Sequence, residues 1–187
     1  MPSFDPCRMF RKLAYNNALA NNRLLAACAA LKPSEFEATR TSFFPSIKST
    51  LNHILTVDWF YVDGLEGGTL GLRAFDVEEP FDDLPSLSAE QAKVDHRLVA
   101  ICETLTPEKL VSIMELQRDG RVQRERMEDV LSHLFQHQTL HRGQVHAMLS
   151  GSSVAPPQLD EFIVADDARF RGTELTALGW NEETLMR

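Results

Sequence analysis

Between about Asp5 and Leu31 the chain is rich in Ala, Leu and Asn, and apolar side chains recur at Phe10, Leu13, Ala14, Leu19, Leu24 and Leu25. That spacing predicts a long helix, closed by Lys32-Pro33-Ser34. A second apolar stretch starts near Pro45 and runs to Gly64. At about 3.6 residues per turn, Ile47, Leu51, Leu55, Val62 and Leu65 share one side of it, while His53, Val57, Phe60 and Gly64 form a stripe on the far side. A helix apolar on two faces must lie between neighbours.

Gly68 to Ser86 is dense in Gly, Asp, Glu and Pro and reads as a long loop. Ser88-Ala89-Glu90-Gln91 has the pattern of a capping box, so a third helix is expected from Ser88 to about Leu105, where Thr106-Pro107 stops it. Between Val111 and Arg126 the Asp119-Gly120 pair separates two short runs and predicts a small hairpin. The fourth helix, from about Arg126 to Leu149, is the clearest element, and Ser150-Gly151 with Pro156-Pro157 terminates it. One or two further helical turns are expected at Leu159 to Ala165. Four long helices with a long crossover loop predict an all-α four-helix bundle.

Composition narrows the class. At 187 residues the chain is expected to form one domain, residues 1–187 with a core over about 8–170. Apolar residues at 43% and charged residues at 25% fit a globular protein, and no apolar run approaches the ~18–20 residues that span a bilayer. With 19 Lys and Arg against 27 Asp and Glu, a net charge of -8 removes the usual electrostatic grip on nucleic acid. Met1 to Phe10 has no basic start followed by an apolar stretch, so a cytoplasmic protein is expected. Cys7, Cys28 and Cys102 are far apart, without a Cys-x-x-Cys spacing, and read as free thiols.

The histidines change this picture. Four of the six, His133, His137, His141 and His146, fall on the fourth helix. With Val130 set at zero, the apolar face of that helix centres near roughly 50°, His141 lies at about 20°, His137 at about -20° and His133 at about -60°. His141 is thus inside the core face, His137 at its edge and His133 toward solvent, with His146 on another side. Two imidazoles at i and i+4 suit one metal, and His53 is the only histidine on the other buried helix. No histidine has Glu three residues before it, which disfavours a di-iron carboxylate bundle, and His137-Gln138-Thr139-Leu140-His141 lacks the glutamate of a His-Glu-x-x-His zinc protease.

The stretch Leu131-Ser132-His133-Leu134-Phe135-Gln136-His137-Gln138-Thr139-Leu140-His141-Arg142-Gly143-Gln144-Val145-His146 resembles the signature of the DinB/YfiT-like family of metal-binding bundles. Tyr15 to Leu24 is similar to that family's first helix and Ser46 to Trp59 to its second, and the likeness runs over about residues 8–170. The resemblance implies an up-down-down-up bundle, commonly a homodimer, holding one divalent metal through His53, His137 and His141. Zinc or nickel would suit three imidazoles, and iron also. The sequence departs from the family pattern at Gln136, often Asn, and at Leu140, where many relatives carry a histidine. Three protein ligands leave a position open, where a metal can lower the pKa of a water or thiol, and relatives of known activity use it to activate a low-molecular-weight thiol. The expected function is therefore metal-dependent transfer of a thiol or water to a small substrate, resembling a thiol S-transferase. The alternative is a non-catalytic metal-binding stress-response dimer. No catalytic residue is assigned.

Three residues are candidates to support the site. Asp58 lies on the Leu51 and Val62 side and needs a partner, for which Arg142 is the natural choice, either as an ion pair bracing two helices or as support for a ligand. Gln144 could bond a water at the metal or satisfy backbone. Gly143 suggests close helix packing or access to the metal. His96, between Asp95 and Arg97, reads as an exposed residue. Trp59, Phe60 and Tyr61 are expected in the core or lining a pocket, and the acidic loop Asp76 to Asp83 is expected to be solvated or to cover the mouth of the site.

Overall fold

The computed structural model describes residues 4–187; the first three residues of the Met1 to Phe10 reading and of the expected 1–187 domain lie outside them. The elements run α1 (Arg8–Cys28), α2 (Pro33–Phe36), α3 (Ile47–Leu65), α4 (Leu84–Glu103), α5 (Pro107–Leu110), β1 (Ile113–Arg118), β2 (Arg121–Arg126), α6 (Met127–Leu149), α7 (Gly172–Ala177) and α8 (Glu182–Met186). The chain is mostly helical. The four long helices pack cyclically, α1 on α4, α4 on α3, α3 on α6 and α6 on α1, around one apolar core.

Helix α3 is apolar on two sides, and both are used: Ile47, Leu51, Leu55 and Val62 are buried, as are Val57 and Phe60 opposite them. The Ser46 hydroxyl caps this helix by accepting from the Ser49 N–H at 3.0 Å. The hairpin forms as expected, with Arg118 paired to Arg121 and Gly120 alone taking the left-handed φ of 64° in the turn. It lies against α3, where a Cβ on Gly64 would overlap the Leu116 side chain, so the strand approaches because that position has no side chain.

Two expectations are corrected. Helix α4 starts at Leu84 rather than Ser88, because the Asp83 carboxylate accepts from the Ser86 N–H at 2.8 Å and Pro85 occupies the first turn. Ser88 and Gln91 therefore form no capping box; Gln91 points inward and is buried. The turns expected at Leu159 to Ala165 are replaced by irregular chain, a 3-10 turn over Ala165–Phe170, and the short α7 and α8. Polar clasps hold this tail. The wholly buried Arg171 pairs with Glu182 at 2.7 Å and donates to the carbonyls of Glu161 and Val164, while Arg23 of α1 reaches Glu161 and Glu174. No apolar periodicity announces such an arrangement. Cys7, Cys28 and Cys102 are free and buried, and no helix among the described residues is long and apolar enough to cross a membrane.

Candidate metal centre

Helices α3 and α6 pack together and bring His53 against His137 and His141. One potential ligand atom from each of the three lies within 4.8 Å of the other two. The Nε2 atoms of His53 and His137 are 3.1 Å apart. Two nitrogens bound at about 2.0–2.1 Å to a tetrahedral ion are separated by roughly 3.3 Å, so this pair has the spacing of two corners of a coordination shell. The donor set, three imidazoles, suits a borderline divalent ion. His141 is buried, and its Nδ1–H donates to Gln144 Oε1 at 2.8 Å, which leaves Nε2 with its lone pair free. His137 Nδ1 is buried without a partner.

Burial, and the neighbouring His141, lower the pKa of His53 to about 4; burial and the three other imidazoles lower that of His137 to about 3. Both rings are therefore neutral and ready to ligate near neutral pH. A loop between α2 and α3, closed by the Arg40 N–H donating to the Pro45 carbonyl at 2.7 Å, lays Phe44 on the cluster, 4.2 Å from the His53 ring and 5.6 Å from that of His141. Phe43 beside it is exposed. The acidic loop is exposed at residues 76–79, 82 and 83, as expected of a solvated loop, and it docks on the first turns of α3, where the Phe81 backbone exchanges hydrogen bonds with Asn52 and Lys48 pairs with Asp82. The segment laid on the histidines is thus Phe43-Phe44.

Behind the histidines lies a fully buried polar layer. Asp58 accepts from Gln91 Nε2 at 2.7 Å and from Gln138. Asp95 accepts from Asn17, Asn21 and Gln91, and Arg142 donates to the side-chain oxygens of Asn17 and Asn21. The expected Asp58–Arg142 ion pair does not form; amides stand between the guanidinium and both carboxylates. Burial pushes both carboxyl groups up, Asp58 further through the charge of Asp95, and pulls Arg142 down. Gly143 is exposed, with open space around the position of a Cβ, so close helix packing is not its reason. His133 is exposed beside Tyr61, and His146 donates to or accepts from no other histidine, bonding the Pro157 carbonyl at 3.0 Å.

A model of the DinB family matches residues 7–174. The chain belongs to the DinB family. Among solved structures it is similar to a DinB-like protein from Bacillus cereus ATCC 10987, at 18% identity and a TM-score of 0.58, over 77% of this chain and 90% of that one. That likeness is one of fold. The comparison with curated proteins finds no match. Gln136 and Leu140, the two positions that the sequence reading set apart from the family pattern, are exposed, on the side of α6 away from the core. Sequence reasoning missed Gln138, Gln91, Asp95, Asn17, Asn21 and Phe44. Gln138 was within reach, since it falls at roughly 80° on the wheel that places His141 in the core.

Proposed function

We propose that this DinB-family protein holds one divalent metal ion through His53, His137 and His141 and activates a thiol or a water for transfer to a small substrate, in the manner of a thiol S-transferase. The observation that carries this reading is the convergence of the three imidazoles from two helices. Zinc or nickel fits the donor set best, and iron fits it also. When bound, the metal supplies Lewis acidity, lowering the pKa of a thiol or water taken up at the position the protein leaves open. The chain's own residues do the rest. Gln144 fixes the tautomer and orientation of the His141 ring, Asp58 holds Gln138, and through it the α6 turn between His137 and His141, while Asn17 and Asn21 hold Arg142, the residue directly after His141. Phe44 covers one side of the ring cluster and restricts water there.

The reading includes the up-down-down-up order of the four long helices, a single domain, a homodimer and a cytoplasmic setting, with neither nucleic acid nor membrane as partner. The alternative, a metal-binding stress-response dimer without catalysis, draws on the same Phe44 contact, which covers the cluster as a structural site would be covered.

Metal content by mass spectrometry in the wild type and in His137→Ala tests the ligands: one equivalent is expected in the first and a loss in the second, and equal content overturns the assignment. Turnover of a panel of thiols with electrophiles, by metal-loaded and chelator-treated protein, tests the chemistry. Equal rates would remove the catalytic reading and leave the alternative.

A further inference from the structure

A cavity of about 620 Å³ opens on the opposite side of the bundle from α3 and α6, between α1 and α4. That volume lies in the range of small-molecule sites, roughly 300–1,000 Å³. Its walls include Leu25, Leu31, Phe36 and Leu178. Leu178 follows α7 and lies beyond the residues 7–174 that match the family, so the tail that Arg23 and Arg171 clasp in place supplies part of this wall.

Besides the thiol of Cys28 and the imidazole of His96, the ionisable groups on the lining are carboxylates. Glu37, Asp82 and Asp83 stand at the end where α4 begins, and Asp95 lies three turns further along α4. Among the described residues no Lys or Arg lines the cavity; at the end where α4 begins Lys48 pairs with Asp82 at 2.7 Å and Glu37 at 3.8 Å and leaves that end negative, while Arg142, behind the lining, is linked to Asp95 through Asn17 and Asn21. The N-terminus of α4 would ordinarily favour an anion, but Asp83 already occupies it as the cap, and Pro85 has no N–H to offer. Asp95 is 4% exposed; its Oδ1 accepts three hydrogen bonds and its Oδ2 only one, from Asn21 at 3.1 Å, so acceptor capacity remains on a buried carboxylate of the lining.

We propose that the cavity between α1 and α4 is a second binding site, separate from the histidine cluster, for an organic amine: a protonated nitrogen carried on an alkyl or aryl body. The apolar walls take the body, and the carboxylates take the ammonium. A carboxylic acid of the same shape meets repulsion from Glu37, Asp82 and Asp83, and a neutral alcohol loses the ionic contribution.

The probes are 4-phenylbutylamine, 4-phenylbutanol and 4-phenylbutanoate, titrated calorimetrically into the full chain. Saturable binding of the amine is expected, at least about tenfold tighter than the alcohol, with no binding of the carboxylate. Ala92→Trp and Ala29→Trp place an indole on the cavity from exposed positions, one on α4 and one just past the end of α1; both should abolish amine binding while the circular dichroism spectrum is kept. The double variant Glu37→Gln/Asp82→Asn should bring the amine down to the level of the alcohol. Binding in His53→Ala should equal that of the wild type, which separates this site from one at the metal. Equal affinity for alcohol and amine, binding that survives both tryptophan variants, loss of binding in His53→Ala, or no saturable amine binding overturns the proposal.

Discussion

Replacing Arg142 with Met isolates what the buried polar layer does for stability. Arg142 is 5% exposed and is the cation near two buried carboxylates: it reaches Asp95 through Asn17 and Asn21, and acts on Asp58 through its charge alone. Methionine keeps much of the volume but leaves two amide oxygens without their donor and two carboxylates without a counter-charge. Removing one member of a buried charge set costs about 3–5 kcal/mol, which for a chain of this length lowers the melting temperature by roughly 6–20 °C. The loss has a pH signature. Both carboxyl groups already have pKa values raised above their unfolded values, so the folded state binds more protons than the unfolded one and stability declines as pH rises through that window. Without Arg142 the pKa values rise further, and the penalty is greatest where the carboxylates are forced to ionise. Urea unfolding of wild type and variant at about pH 5.5 and about pH 8 should therefore show the larger difference at the higher pH, and Asp95→Asn in the same chain should recover part of it. A difference below about 1 kcal/mol, or one equal at both pH values, refutes the assignment of Arg142 as the balancing charge.

Three further outcomes follow from the site and its supports. Gln144→Leu removes the acceptor of the His141 Nδ1–H and should weaken zinc binding roughly 10- to 100-fold without changing the fold, measured by competition with a chelator; unchanged affinity would show that Gln144 does not orient the ring. In the metal-free protein, His53 and His137 have folded pKa values of about 4 and about 3, below the unfolded 6.5, so their contribution to stability is full above 6.5 and declines as pH falls through the folded values. His137→Gln should accordingly lose less stability than the wild type between about pH 7 and about pH 4 by urea unfolding, and equal losses would contradict the burial of that ring. Gly64→Ala drives a methyl into Leu116 of the hairpin and should cost about 1–3 kcal/mol by thermal unfolding, whereas a neutral result would mean that β1 does not press on α3 as described.

Much of this fold was legible because apolar periodicity records which faces are buried. The two-sided stripe of α3 and the face of α6 follow from it directly, and the Asp119-Gly120 turn from the left-handed preference of glycine. The three histidines were legible for the same reason, since angle alone puts His141 inside α6 and His133 outside. What periodicity does not record is polar burial. Asn17, Asn21, Asp95 and Gln138 are individually ordinary surface residues, and their burial is stable only because each completes another's hydrogen bonds across helices that the sequence does not show to be neighbours. The start of α4 was misread because Ser-x-x-Gln and Asp-x-x-Ser both offer a cap, and the choice fell to Asp83, two residues before Pro85. The tail was misread because charge pairs, with no repeat, determine where it lies.

The polar layer and the histidine cluster form one arrangement on α6. Each of its two cluster residues is followed directly by a residue of the buried layer, His137 by Gln138 and His141 by Arg142. Neighbours on a helix differ by about 100°, so anchoring Gln138 on Asp58 and Arg142 on Asn17 and Asn21 fixes the rotation of α6 about its own axis and, with it, the direction in which both imidazoles leave the helix. Asp58 is on α3, five residues past His53, so the bond to Gln138 also sets the register between the two helices that supply the cluster. Apolar packing alone would tolerate small slides between α3 and α6. A three-imidazole site does not, because a displacement of about 1 Å is half a metal–nitrogen bond. The energetic cost of burying two carboxylates and a guanidinium is thus the cost of holding His53, His137 and His141 in one place.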